Sequence, residues 1–128
     1  MVTHDMGMKT GKYWDEYVET LSDSEIQALQ FYRLKQTLER VSSCGFYQKR
    51  FREMGLDVSA LESLEDLSRF PFTTKQDLRD AYPYGFLCEP KERLVRLHVS
   101  SGTTGQATAM FYTQRDLESW ADLLARSM

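Results

Sequence analysis

The chain has 128 residues, enough for one domain with a modest core. Its 16 basic and 19 acidic residues leave a formal charge of −3, which argues against nucleic acid or an anionic membrane as the main partner. Hydrophobic residues make up 41% and charged residues 27%, an ordinary globular balance, and the apolar runs are far too short for a membrane span.

Residues 1–12 lack the apolar core of a secretory signal and read as a disordered leader. Ser22 followed by Glu25 is a capping-box pair that opens a long helix, with Phe31, Leu34, Leu38 and Val41 recurring at three and four and Ile26 and Leu29 widening the stripe. Gly45 is expected to stop it. Phe46 to Met54 predicts a second helix, with Tyr47, Phe51 and Met54 on one face and Gly55 at its end. Lys49, Arg50 and Arg52 read as its solvated face. Ser63 is expected to cap a third helix through Leu64 and Leu67 that finishes before Pro71. Thr74 with Asp77 repeats the capping pair and starts a helix from Lys75 to Ala81, which Pro83 stops. Lys75 sits in that first turn, where the helix dipole disfavours a cation, and a distant carboxylate is its natural partner. Tyr82, Tyr84 and Phe86 form an aromatic run around Gly85, suited to packing against neighbouring helices or to lining an aryl pocket.

Val95, Leu97 and Val99 alternate with Arg96 and His98, which predicts a half-buried strand, and Ala107 to Tyr112 predicts a second one. Thr113 and Asp116 cap a last helix with the stripe Leu117, Trp120, Ala121 and Leu124. Several amphipathic helices, one hairpin and a closing helix give an α+β class. Cys44 and Cys88 form neither a C-x-x-C pair nor a Cys/His cluster, so they are expected as reduced thiols of a cytoplasmic protein. No metal site is expected, since His4 lies in the leader and His98 alternates onto a strand face.

The turn between the two strands, Ser100-Ser101-Gly102-Thr103-Thr104-Gly105, is longer and richer in hydroxyls than chain reversal needs. Glycine admits positive φ and close backbone approach, so successive N–H groups can point into one concavity. Hydroxyl donors add to such a cradle for anionic oxygens. An exposed polar turn is an equally economical reading of the hexapeptide alone. The pattern is neither a Walker A motif, which needs G-x-x-x-x-G-K-[ST], nor a dinucleotide fingerprint.

Taken together, Phe70-Pro71-Phe72-Thr73-Thr74-Lys75-Gln76-Asp77-Leu78-Arg79-Asp80, then Tyr82-Pro83-Tyr84-Gly85, Val95-Arg96-Leu97-His98 and the turn resemble the phenylacetate–coenzyme A ligase family of adenylate-forming enzymes. The likeness runs from Tyr13-Trp14 to the last helix. It implies that residues 13–128 are the N-terminal part of the large domain of a longer α/β ligase. It also implies that Ser100, Ser101, Gly102, Thr103, Thr104 and Gly105 hold the ATP phosphates, with Mg2+ accompanying the nucleotide and coenzyme A as acyl acceptor. The acid would be aryl or arylacetic. Catalytic residues would lie beyond residue 128, leaving this chain inactive alone. The resemblance implies Lys-Pro after the turn and glycine at 111, where Gln106-Ala107 and Phe111 stand, and the lost cation weakens the grip on phosphate. A truncated, non-catalytic interaction module and an acyl-adenylating relative with another acceptor are the alternatives. With the rest of the large domain missing, the stripe at Leu117, Trp120 and Leu124 is expected to be left open and the chain to self-associate.

Overall fold

The computed structural model describes residues 11–100, 105 and 107–128; residues 1–10, read above as most of the leader, lie outside them. Among the described residues the order is α1 (Glu16–Glu19), α2 (Asp23–Ser42), α3 (Gly45–Glu53), α4 (Lys75–Asp80), the antiparallel pair β1 (Leu94–Val99) and β2 (Ala109–Thr113), and α5 (Gln114–Ser127), with three short 3-10 turns between. This is the α+β arrangement that the sequence pattern predicts.

At the start of α2, the Ser22 N–H and hydroxyl donate to the Glu25 carboxylate at 2.8 and 2.6 Å, which occupies a donor that the first helical turn leaves unpaired. The predicted stripe does form the core: Leu38, Phe51 and Leu61 are buried, with Phe31, Leu34, Val41, Tyr47, Leu56, Val58 and Phe70 packed around them. Gly45 does not stop α2. The helix ends at Ser42, where the Ser43 and Cys44 N–H groups bond the Arg40 and Val41 carbonyls, and Gly45 becomes the first residue of α3. Ser43 stays right-handed there, so the turn needs no glycine. Gly55, at φ +65, ends α3 as expected. Leu56 N–H bonds the Phe51 carbonyl and Gly55 N–H that of Arg52, a Schellman closure that carries Leu56 back to the core.

The predicted Ser63-capped helix is only a 3-10 turn, Glu65–Arg69. The cap there belongs to Asp66, whose carboxylate accepts from the Glu62 and Ser63 N–H groups at 2.9 and 3.0 Å, and Pro71 leaves too little chain for a full helix. The α4 capping box is complete: Asp77 accepts from the Thr74 N–H and hydroxyl, both at 2.7 Å, and its own N–H bonds Thr74 Oγ1 at 3.2 Å. The second Asp77 oxygen takes Arg50 at 2.9 Å, which joins α4 to α3. Of the three cations expected on a solvated face, Lys49, paired along its own helix with Glu53, and Arg52 are exposed, whereas Arg50 is half-buried between Asp77 and the Phe46 ring.

Residues 84–86 tie these pieces together. The Gly85 carbonyl accepts from Phe46 N–H and from the Cys44 thiol, both at 3.1 Å, while Gly85 N–H bonds Ala81 at 2.7 Å. A Cβ at Gly85 would meet the Ala81 Cβ at 2.5 Å and its carbonyl oxygen at 2.7 Å, so only glycine fits. Phe86 packs on Phe46 at 4.2 Å and edge-on to Tyr47 at 5.5 Å. Tyr84 stacks on Phe111 of β2 at 5.5 Å. Cys44 and Cys88, distant in sequence, interact here as free thiols. Burial first, and then the Cys44 thiol, push the Cys88 pKa up to about 12, which keeps it protonated and unreactive at neutral pH.

Replacing Gly85 by alanine forces methyl against backbone. The expected loss is roughly 1–3 kcal/mol, read as a lower urea midpoint, and an unchanged midpoint would show that Gly85 does not set this junction. The carboxyls of Glu25, Asp57, Asp66 and Asp77 are all held below their ordinary values by hydrogen bonds, chiefly from Ser22, Ser59, Glu62 and Thr74. Their contribution is therefore present above the unfolded values of 4.5 for Glu25 and 3.8 for the aspartates. It disappears as pH falls through the lower folded values. Far-ultraviolet dichroism should be flat from neutrality to about pH 5 and fall below about pH 4.

Candidate functional site

β1 pairs with β2 through Arg96↔Tyr112, Leu97↔Phe111, His98↔Met110 and Val99↔Ala109. One more rung lies beyond this ladder. Ser100 N–H bonds the Thr108 carbonyl, Thr108 N–H bonds Ser100 Oγ, and the two hydroxyl oxygens lie together, each at 3.0 Å. Thr108 is only 6% exposed. Two hydroxyls and three backbone groups thus close the neck of the turn before the chain leaves it.

Of the six predicted phosphate ligands, Ser100 is this neck residue, and Ser101, Gly102, Thr103 and Thr104 lie outside the described residues. Ser100 Oγ is an acceptor inside the clasp, and the hydroxyl pair spends one proton there, leaving one for a ligand or solvent. Gly105 has φ +147, and a Cβ on it would meet no atom within 4 Å. Its requirement is therefore conformational: glycine tolerates this backbone, and other residues rarely do. Thr108 was not singled out from sequence. Its signal was there, a hydroxyl residue positioned to face Ser100 across a turn.

The hairpin has two unlike faces. Arg96, His98, Met110 and Tyr112 share one face, and α5 lies on it. Trp120 stands edge-on to His98 at 5.8 Å and parallel to Tyr112 at 6.0 Å, while His98 and Tyr112 are 4.9 Å apart. The far end of α5 is tied to the start of the chain, through Trp14 Nε1 donating to Asp122 at 3.0 Å and Arg126 paired with Glu19 at 3.3 Å. Val95, Leu97 and Val99 share the other face and remain half exposed. The strand prediction holds, but the covered side is the one carrying Arg96 and His98. Phe111 sits on the open face and turns its ring onto Tyr84.

The segment from Phe70 to Asp80 is anchored at most positions. Phe70 packs edge-on to Phe51 at 5.3 Å, Tyr47 and Thr73 share a hydroxyl bond at 2.6 Å, and Thr74 and Asp77 form the cap. Two members stand apart. Phe72 is 91% exposed, and Arg79 Nε is buried without a hydrogen-bond partner. Lys75 forms no ion pair among the described residues. At the end of the hairpin away from the turn, an open cleft of about 690 Å³ is lined by Arg40, Glu89, Arg93 and Arg115 together with the first turn of α5. Glu89 pairs there with Arg40 at 3.8 Å and Arg93 at 3.3 Å.

Among the described residues, no group of three or more His, Cys, Asp or Glu side chains fits a metal ion. No described helix is long and apolar enough to cross a membrane.

No family model matches the chain. Relatives of the chain carry the name phenylacetate–coenzyme A ligase. The one from Escherichia coli (strain K12) is 46% identical over 112 residues, 87% of this chain and 26% of its own length. That from Aromatoleum evansii is 43% identical over 125 residues, 96% of this chain and 28% of its own. That from Thermus thermophilus is 45% identical over 112 residues, 87% and 25% respectively. Over most of its length, then, the chain is a homologue of the phenylacetate–coenzyme A ligases, and it spans about a quarter of the length of these relatives.

Proposed function

We propose that the chain supplies the triphosphate-holding part of an ATP-dependent aryl or arylacetic acid–coenzyme A ligase, within the large domain of a longer α/β enzyme. In that reaction the acid carboxylate attacks ATP, giving an acyl-adenylate and pyrophosphate. The coenzyme A thiol then displaces AMP to give the thioester. Homology to ligases of this name supports the reading, and the observation that carries it is the glycine-and-hydroxyl turn whose neck is shut by Ser100 and Thr108.

In this reading the chain's own contribution is electrostatic and positional. Ser100, Ser101, Gly102, Thr103, Thr104 and Gly105 offer N–H and O–H donors to the β- and γ-phosphates, whose charge would otherwise repel the incoming carboxylate. The clasp holds the two ends of the turn, Ser100 and Thr108, together before nucleotide arrives, which lowers the ordering that binding would require. The magnesium that the family likeness implies would accompany the nucleotide, bound chiefly through its phosphates and waters. The groups that transfer the acyl unit would be contributed by sequence outside this chain. Alone, the chain is expected to bind nucleotide weakly, to catalyse nothing and to self-associate through its open apolar faces.

The open faces also suit the alternative of a non-catalytic interaction module, and nucleotide binding separates the two. In 15N–1H spectra of the chain, ATP and inorganic pyrophosphate should each shift resonances from residues 99–109, and adenosine should not. The double substitution Gly102→Val with Gly105→Val should weaken that response at least tenfold. Equal shifts in the double variant would sink the phosphate-cradle reading.

A further inference from the structure

The cleft at the end of the hairpin away from the turn gathers positive charge in a chain whose net charge is −3. Three arginines line it, and they come from three separate parts of the sequence: Arg40 from α2, Arg93 from the residues just before β1, and Arg115 from α5. Two carboxylates stand beside them, Glu89 and Asp116. The Asp116 carboxylate is already engaged, accepting from the Thr113 N–H and hydroxyl, both at 2.8 Å. Glu89 alone is left to face three guanidinium groups.

Glu89 does not saturate them. One of its oxygens lies 3.8 Å from Arg40 and the other 3.3 Å from Arg93, both longer than the roughly 2.7–2.9 Å of a tight charge-assisted bond. Each guanidinium carries five N–H donors, so most of the donors of Arg40 and Arg93 remain unused. Arg115 forms no ion pair among the described residues. The carboxylate of Glu89 instead acts as a spacer: it draws two cations from distant parts of the chain to either side of itself and holds them together ahead of any guest.

The donor set selects the guest. Guanidinium forks match oxyanions, and a tetrahedral phosphate can give an oxygen to each of three arginines where a carboxylate has only two to give. An open space of about 690 Å³ is ample for a small phosphorylated molecule. The six residues of β1 separate this cleft from the turn by about 20 Å, so it is a second anion site and does not depend on what the turn binds. We propose that the cleft between Arg40, Arg93 and Arg115 binds a phosphate dianion, either free or as a monoester.

The test is titration of the chain with inorganic phosphate and, separately, with glycerol 2-phosphate, at constant ionic strength maintained with chloride. In 15N–1H spectra both probes should give saturable shifts of the Arg40, Arg93 and Arg115 Nε–H resonances and of the amides of residues 89–93. Arg93→Gln and Arg115→Gln should each raise the half-saturating concentration about tenfold, the worth of one charge-assisted hydrogen bond. The arginines that line the cleft are exposed, so the fold withstands these changes. Arg52→Gln, an equal loss of charge at an exposed position of α3 that does not line the cleft, should leave binding unchanged. A lower half-saturating concentration for the monoester assigns the site to an organic phosphate, and equal or higher values assign it to free phosphate; both support the proposal. It is overturned if the shifts do not saturate, if chloride reproduces them, or if Arg52→Gln weakens binding as much as the cleft variants. Loss of the response in the Gly102→Val, Gly105→Val double variant would also overturn it, since the phosphate would then be held by the turn.

Discussion

The carbonyl of Gly85 is where the helical part of the molecule and the hairpin are locked to one another. It takes two donors from the start of α3, and its own N–H reaches back to Ala81 at the end of α4. Its neighbours extend the junction in opposite directions, Phe86 into the Phe46–Tyr47 aromatics and Tyr84 onto Phe111 of β2. Few of the described residues are fully buried, so a short, glycine-dependent contact carries more of the architecture than it would in a larger core. The orientation of the hairpin, and with it the position of the turn, follows from how these three residues sit.

From that junction the turn is built by short-range chemistry. Phe111 fixes β2 against Tyr84, the ladder brings Val99 opposite Ala109, and the Ser100–Thr108 clasp adds a last rung. Each bond is ordinary in strength, near 1 kcal/mol net. Their combined effect is positional: two strand ends are held at one separation.

What could be read from residues alone divides by range. The capping pairs at Thr74 and Thr113 and the stripe of α2 were legible because each is decided within one or two turns of chain. Gly45 misled because a glycine after a periodic run looks like a stop, yet Ser43 already closed the helix with right-handed geometry. Ser63 is the nearest capping candidate in the sequence, yet the carboxylate of Asp66 outcompetes it for the free N–H groups. The meeting of Cys44 with Cys88 depends on residues far apart in sequence and carries no local signature, whereas the role of Thr108 is signalled only by its place facing Ser100 across the turn. The alternation in β1 correctly separated an apolar from a polar side; which of them α5 would cover depended on Trp120 stacking with His98 and Tyr112.

The clasp has a consequence for how this segment can vary. Pinning Ser100 to Thr108 turns the intervening residues into a ring closed by hydrogen bonds, and the strands on either side no longer register what happens inside it. Substitutions or a change of length within such a ring alter its lining at small cost to the sheet, because closing a slightly larger loop costs only tenths of a kilocalorie per mole. The frame and the segment it encloses are thereby free to vary separately, since the bonds between Ser100 and Thr108 hold the strand ends whichever residues lie between them.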